Sequence, residues 1–143
     1  MPNENPIQLT TIVECPIEDA FELFTEHFAD WWPLESHSVS GDAETCAIEP
    51  REGGRIYERT RDGEEHDWGS VLTWDPPNRV LFRWNPDGNS EGFVEIAFSV
   101  VAIGTEITLT HAGWNRAQAL AITGWAENMP AFRQFTAAIF IAA

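Results

Sequence analysis

Between Ala43 and His111 the sequence alternates apolar and polar residues in short runs, and each run ends at turn-forming residues. This alternation, with its period of two, is typical of strands that bury one face. Strands that follow one another through short turns pair antiparallel. The segment therefore predicts six consecutive strands, at Ala43–Glu49, Arg55–Thr60, Trp68–Trp74, Arg79–Trp84, Phe93–Val101 and Thr105–His111. The turn signals between them include Gly53-Gly54, Asp62-Gly63, Pro76-Pro77-Asn78 and Gly104.

The residues before this segment predict one more strand and two short helices. Ile7–Val13 alternates in the same way and stops before Pro16. Proline at a helix start followed by acidic residues favours a helix beginning near Pro16. Its apolar side is formed by Ala20, Phe21 and Phe24, and a second helix is expected to carry Phe28, Trp31 and Trp32 before Pro33.

The C-terminal segment predicts a return to helix. Asn115–Ile122 is expected to be helical, with an interruption at Gly124. Phe132, Phe135 and Ile139 then recur at the spacing of an apolar helical stripe, which is expected to pack on the sheet. Pro130 is expected either to kink this helix or to start its final section. The fold class is thus α+β, in a single domain over residues 1–143.

The composition excludes several kinds of partner. The formal net charge is −15 at pH 7, which repels phosphate backbones and anionic lipid headgroups, so we expect neither nucleic acid nor a membrane surface as partner. Cys15 and Cys46 stand in no CxxC pair and are expected to be free thiols, and the N-terminus lacks a signal-peptide pattern. We therefore expect a cytoplasmic protein, and no cofactor is predicted.

The residues of Glu49–Arg59 read EPREGGRIYER and form the most specific segment of the chain. Together with His66–Gly69, Trp74–Arg79 and His111–Trp114 it resembles the family of small bacterial proteins named after the activator of the heat-shock-protein-90 ATPase. That family belongs to the START-like, birch-pollen-allergen-like helix-grip superfamily. Many relatives are monomers or weak dimers, so the resemblance implies the same state for this chain. The resemblance implies a curved antiparallel sheet of about seven strands around a long C-terminal helix. It does not fix function, because relatives bind lipids, hormones or polyketides, cyclise aromatic polyketides, or assist a chaperone.

Seven tryptophans in so short a chain suggest aromatic walls for a cavity between the sheet and the helix. Strand alternation predicts which side chains point toward it, among them Glu58, which shares a face with Ile56, and His111, which shares a face with Ile107 and Leu109. The predicted ligand-binding residues are Trp32, Ile56, Glu58, Trp68, Phe82, Trp84, Phe98, His111 and Trp125.

Glu58 and His111 each allow a functional and a structural interpretation. Glu58 would bind a ligand amine or hydroxyl or act as a general acid, or it would be held by a Trp N–H, His111 or an Arg. His111 would carry a proton, or it would be a half-buried residue bonded to the backbone. We favour the structural interpretation for both. His27, His37 and His66 match no familiar ligand spacing, so no metal site is predicted.

Three functions remain open. The first is binding of a small hydrophobic or aromatic molecule in the Trp-lined cavity. The second is protein interaction, with a chaperone as partner. The third is a cyclase or hydrolase that uses Glu58 and His111 as acid and base. The sequence contains no GxSxG, HExxH or phosphate-loop motif, so no catalytic residue is predicted and binding is favoured over catalysis.

Overall fold

The computed structural model describes residues 7–32, 43–84, 92–112 and 124–140. These residues form seven strands and three helices, in the predicted order of one strand, two helices, six strands and a C-terminal helix. The strands are β1 (Ile7–Val13), β2 (Ala43–Ile48), β3 (Arg55–Thr60), β4 (Glu65–Asp75), β5 (Arg79–Trp84), β6 (Gly92–Val101) and β7 (Gly104–Ala112). The helices are α1 (Ile17–Thr25), α2 (Phe28–Trp31) and α3 (Gly124–Phe140). The helical segment expected at 115–122 lies outside the described residues.

All seven strands form one curved antiparallel sheet in the order β1-β7-β6-β5-β4-β3-β2. From β2 to β7 every strand pairs with its neighbour along the chain, as short turns require. The first strand instead pairs with the last, with Ile7 opposite His111 and Val13 opposite Thr105. The predicted α+β class, with a seven-stranded antiparallel sheet and a C-terminal helix, is confirmed.

The β3–β4 hairpin turns at Asp62-Gly63 as predicted, with Gly63 at φ 91°. However, β4 begins at Glu65 rather than at Trp68. Ion pairs across the outer face account for the added length: Arg55 contacts Glu65 at 2.7 Å and Asp67 at 3.2 Å. Opposite charges on neighbouring strands stabilise the pairing, so the strand extends through the acidic segment.

One face of the sheet is buried and carries the predicted inward residues. In β3 the side chains of Ile56, Glu58 and Thr60 are buried, and the residues between them are not. Val100, which alternation from Ile96 and Phe98 also places on this face, is an exception, since it is 71% exposed. It lies beyond Ala97, the residue of β6 that pairs with Arg79 at the start of β5, so β5 does not extend alongside it.

The three helices pack on this buried face. Helix α1 buries Ala20, Phe21 and Phe24, and α3 buries Met129 and Phe132. The predicted stripe of α3 is buried at Phe132, while Ile139 is 43% exposed. Helix α3 runs through Pro130 without a break, so the expectation that its final section starts at Pro130 is wrong. Among the described residues, no helix is both long and apolar enough to cross a membrane.

Candidate functional site

Three indole rings pack against one another on the buried face of the sheet. Trp32 follows α2, Trp68 lies in β4 and Trp84 ends β5. Their ring centroids are 5.8 Å (Trp32–Trp68), 5.9 Å (Trp68–Trp84) and 6.1 Å (Trp32–Trp84) apart. Trp68 is 1% exposed, whereas Trp32 and Trp84 are each 6% exposed. These three residues, called the Trp cluster below, form a buried aromatic cluster in which Trp32 and Trp84 keep the most residual exposure.

Trp68 reaches the cluster because it is the extra residue of a β-bulge. In the pairing of β3 with β4, Ile56 faces Gly69 and Tyr57 faces Asp67, so Trp68 has no residue opposite it. By simple alternation from Gly69 and Val71, the indole of Trp68 would point to the outer face. A bulge re-aims the side chain that it adds, and here the ring is buried among Trp32, Trp84 and Phe28.

Glu58 lies beside the Trp cluster and is fully buried. The indole Nε1 of Trp68 donates a hydrogen bond of 2.9 Å to its Oε1. A buried carboxylate is stabilised only when such donors replace water. One of the structural partners considered from the sequence, a Trp N–H, is therefore present.

Cys46 stands next to Glu58 and was not among the predicted site residues. It faces Glu58 in the pairing of β2 with β3, and it is 3% exposed. Burial raises the pKa of its thiol to about 12, and the negative charge of Glu58 adds to the effect. The alternation within Ala43–Glu49 places Cys46 and Ile48 on one face, a signal that could have identified it.

His111 lies on the same buried face and is 1% exposed. Burial disfavours the imidazolium and lowers its pKa to about 4, so the ring is neutral at pH 7. Three strands, β6, β5 and β4, separate His111 from Glu58. At about 4.8 Å per strand, the two lie roughly 19 Å apart along the sheet, although its curvature shortens the direct path. A ligand that contacts both must span much of the inner face.

The other predicted residues fall into two groups. Ile56 and Phe82 are fully buried, and the ring centroid of Phe82 lies 6.1 Å from that of Trp84. Phe98 packs instead on α1, with ring centroids 5.2 Å from Phe21 and 5.9 Å from Phe24. The side chain of Trp125 lies outside the described residues. The structure thus brings Trp32, Ile56, Glu58, Trp68, Phe82 and Trp84 into one region and separates Phe98 from it.

Ring contacts connect the Trp cluster with the opposite side of the molecule. The ring centroids of Trp32 and Phe28 are 5.0 Å apart, those of Phe28 and Trp31 are 5.4 Å apart, and those of Trp31 and Phe24 are 4.9 Å apart. Phe24 in turn contacts Phe98. Phe21 then contacts Trp74 at 5.1 Å. Trp31 is fixed within this series by a hydrogen bond of 3.3 Å from its Nε1 to the carbonyl of Phe24. Much of the predicted aromatic wall therefore serves as core.

The described residues line one open groove of about 470 Å³, which lies on the outside of the molecule. It runs between α1 and the turn after β4, and its lining residues are Glu18, Phe21, Glu22, Glu26, Pro50, Trp74, Pro76 and Pro77. None of the predicted binding residues is among them. Within the described ranges, no group of three His, Cys, Asp or Glu side chains is placed to hold a metal ion.

Comparison with known proteins establishes the family. Residues 14–137 match the family model described as Activator of Hsp90 ATPase homolog 1-like protein. The chain belongs to this family. The resemblance noted in the sequence is confirmed. No curated protein matches the sequence.

Solved structures share the fold of this family member. Protein NE0264 from Nitrosomonas europaea is 16% identical with a TM-score of 0.71, and the match covers 95% of this chain and 97% of that chain. An AHSA1-like protein from Aeromonas hydrophila is 20% identical with a TM-score of 0.66, covering 94% and 93%. At such identities the likeness establishes the fold alone.

A third structure is more similar in sequence. Txn09, an anthrahydroquino-gamma-pyrone synthase solved as a complex, is 35% identical with a TM-score of 0.55. The match covers 79% of this chain and 80% of that chain. A fold of this family with a buried aromatic cluster is compatible with ligand binding.

Proposed function

We propose that the protein binds a flat aromatic molecule on the Trp cluster. The observation that carries this proposal is a cluster of three indoles, one of which donates a hydrogen bond to a fully buried carboxylate. The rings contact one another, so the ligand would reach the cluster at Trp32 and Trp84, its members with residual exposure, rather than enter between the rings. Each aromatic pair contributes about 0.5–1.5 kcal/mol beyond the area that it buries.

Polar groups of the inner face would select among aromatic ligands. Glu58 offers carboxylate oxygens, which accept hydrogen bonds, and the neutral imidazole of His111 has one acceptor nitrogen. Both therefore favour ligands that carry hydroxyl groups at well-separated positions. Txn09 supports this class of ligand, because its name describes a fused, oxygen-bearing aromatic ring system.

A panel of ligands tests the proposal. We expect a hydroxylated anthraquinone to quench Trp fluorescence and to raise the melting temperature, since a ligand that binds the folded state stabilises it. A saturated fatty acid of similar size is the comparison. Trp84→Leu should weaken the quenching, whereas Trp74→Leu, which alters the outer groove, should not.

Two results would count against the proposal. One is that no planar ligand changes either the fluorescence or the melting temperature of the wild-type protein. The other is that Trp84→Leu binds the anthraquinone as tightly as the wild type while Trp74→Leu does not. The second result would indicate that the ligand binds in the outer groove at Trp74.

Catalysis of ring closure is the second candidate function, and the 35% identity to a synthase favours it. Glu58 would act as general base and His111 as a neutral hydrogen-bond partner of a carbonyl oxygen. The two side chains share the buried face of the sheet, as this function requires. Their separation demands a substrate that extends along the face.

A model reaction tests catalysis separately from binding. 1-(2-Hydroxyphenyl)butane-1,3-dione closes to 2-methylchromone with loss of water, which changes the ultraviolet spectrum. This molecule is too short to contact Glu58 and His111 together, so the reaction tests the general-base role of Glu58 alone. We expect the wild type to accelerate this closure and Glu58→Gln to lose most of the acceleration. A wild-type rate equal to the buffer rate would exclude this activity for γ-pyrone formation and leave the binding proposal intact.

The remaining expectations about partners rest on the family description. A role as chaperone co-regulator is a prediction, and absence of binding to the purified chaperone at low salt would argue against it. The cytoplasmic location, the single-domain organisation and the monomeric or weakly dimeric state likewise stay predictions.

A further inference from the structure

The outer groove has two chemically different walls. One wall is α1, which presents the carboxylates of Glu18, Glu22 and Glu26. The other is apolar and is formed by Trp74 with three prolines, at positions 50, 76 and 77. Phe21 joins the walls at the base, since its ring meets that of Trp74 edge-on at 5.1 Å. The volume of about 470 Å³ lies within the range of pockets that bind ligands, about 300–1,000 Å³.

The acidic wall is electrostatically unfavourable without a cation. Glu18, Glu22 and Glu26 are spaced four residues apart, and like charges at this spacing destabilise a helix. Glu26 caps the C-terminal end of α1, where the helix dipole favours positive charge, and the last turn contains no basic residue. Among the described residues that line the groove, none is basic. His27 lies 3.8 Å from Glu22, but it carries a charge only when protonated.

The two walls specify the spacing of the side chains in a bound partner segment. Residues four apart on a helix are separated by about 6 Å along its axis. Alternate residues of an extended chain are separated by about 6.6 Å and point to one side, while those between them point to the other. An extended segment in the groove would therefore set every second side chain against the three carboxylates. Its remaining side chains would face Trp74 and the prolines.

We propose that this groove docks an extended segment of a partner protein in which basic and apolar residues alternate. Charge complementarity carries the assignment, because the groove presents three carboxylates and no basic side chain among the described residues that line it. The apolar wall of Trp74 and the prolines adds contact for the intervening apolar side chains. This site is independent of the Trp cluster, and either can exist without the other.

A short peptide tests the proposal. The probe is a fluorescein-labelled Gly-Lys-Leu-Lys-Leu-Lys-Gly, and its binding to the full chain is followed by fluorescence anisotropy at low and moderate salt. We expect binding that weakens as salt screens the charges. A peptide of equal composition with its lysines consecutive should bind more weakly, since its charges do not match the spacing of the carboxylates.

Charge-neutral variants locate the site. The triple variant Glu18→Gln, Glu22→Gln, Glu26→Gln should weaken binding roughly tenfold, because three exposed ion pairs are lost and each is individually weak. The matched control Asp62→Asn, Glu64→Gln, Glu106→Gln removes the same charge outside the groove and should keep near-wild-type affinity. The Gln variant should fold about as well as the wild type, since it removes repulsion within α1 together with the favourable charge of Glu18 in the first turn.

Carbodiimide crosslinking identifies the contacts directly. The chain contains no lysine, so the peptide lysines supply the side-chain amines that can couple to its carboxylates. Crosslinks at Glu18, Glu22 or Glu26 support the proposal. Equal loss of affinity in both triple variants, crosslinks spread over other carboxylates, or no binding at low salt would each overturn it.

Discussion

The hydrogen bond from Trp68 to Glu58 predicts a specific and separable loss of stability. Trp68→Phe keeps an aromatic ring in the cluster but removes the Nε1–H that lies 2.9 Å from the buried carboxylate. A hydrogen bond to a charged group contributes about 1.5–3 kcal/mol, and the smaller ring loses roughly 1 kcal/mol of buried surface. We therefore expect the free energy of unfolding to fall by about 3 kcal/mol, which lowers the melting temperature by roughly 10 °C for a chain of this size.

A double-mutant cycle separates the hydrogen bond from the lost packing. In a Glu58→Gln background the acceptor is neutral, so Trp68→Phe should lower the free energy of unfolding by only about 1.5 kcal/mol. The difference from the wild-type background is a coupling energy of about 1.5 kcal/mol. Urea unfolding of the four proteins at pH 7 measures it. Trp31→Phe is the matched control, because its indole donates to a backbone carbonyl at 3.3 Å and should cost less than Trp68→Phe.

The reasoning is refuted if Trp68→Phe costs less than about 1 kcal/mol, or if its cost is the same in both backgrounds within about 0.3 kcal/mol. Either result would mean that the bulge positions Trp68 for packing alone. The carboxylate would then derive its stability from other contacts.

Three further predictions follow from the buried groups. The pKa of His111 is about 4 in the folded protein and near 6.5 unfolded, so between these values the unfolded state binds more protons and stability falls as the pH drops. The loss in the free energy of unfolding should approach about 3 kcal/mol by pH 4. Urea unfolding from pH 7 to pH 4.5 should show a shallower fall in this free energy for His111→Gln than for the wild type, and equal slopes would contradict the prediction. Gly69→Ala places a Cβ 1.9 Å from the carbonyl oxygen of Arg83, so calorimetry should show a loss of about 3 kcal/mol, and an unchanged melting temperature would be inconsistent with this contact. Burial raises the pKa of Cys15 to about 11 and that of Cys46 to about 12. At pH 8 the reaction with a disulfide reagent should therefore be slower in the folded protein than in urea, roughly 100-fold for Cys15 and roughly 1,000-fold for Cys46, and rapid native labelling would refute their burial.

Much of the fold is readable from local patterns in the sequence. The period of two in β3, β5 and β7 predicted that Glu58, Trp84 and His111 face inward, because alternation depends only on neighbouring residues. Asp62-Gly63 likewise predicted its hairpin from turn chemistry alone. Such features need no knowledge of the rest of the chain.

Other features depend on contacts between distant segments. Alternation along β4 would place the side chain of Trp68 on the outer face of the sheet, but the β-bulge turns it to the buried face. This bulge is visible only in the pairing of β3 with β4. Phe98 was grouped with the binding residues because it points inward, but α1 covers that part of the sheet. The groove could not be predicted, because it lies between α1 and the turn after β4, which are about 50 residues apart in the sequence. Periodicity predicts each segment by itself and does not show that the two meet.

The indole N–H resonances of the protein test the central claim most directly. The seven tryptophans give separate signals in a ¹⁵N–¹H correlation spectrum, and single Trp→Phe variants assign them. On addition of a hydroxylated anthraquinone, the account predicts shifts of the Trp32, Trp68 and Trp84 signals while that of Trp74 stays in place. A spectrum in which these three signals do not move at saturating ligand, or in which Trp74 alone shifts, would contradict it.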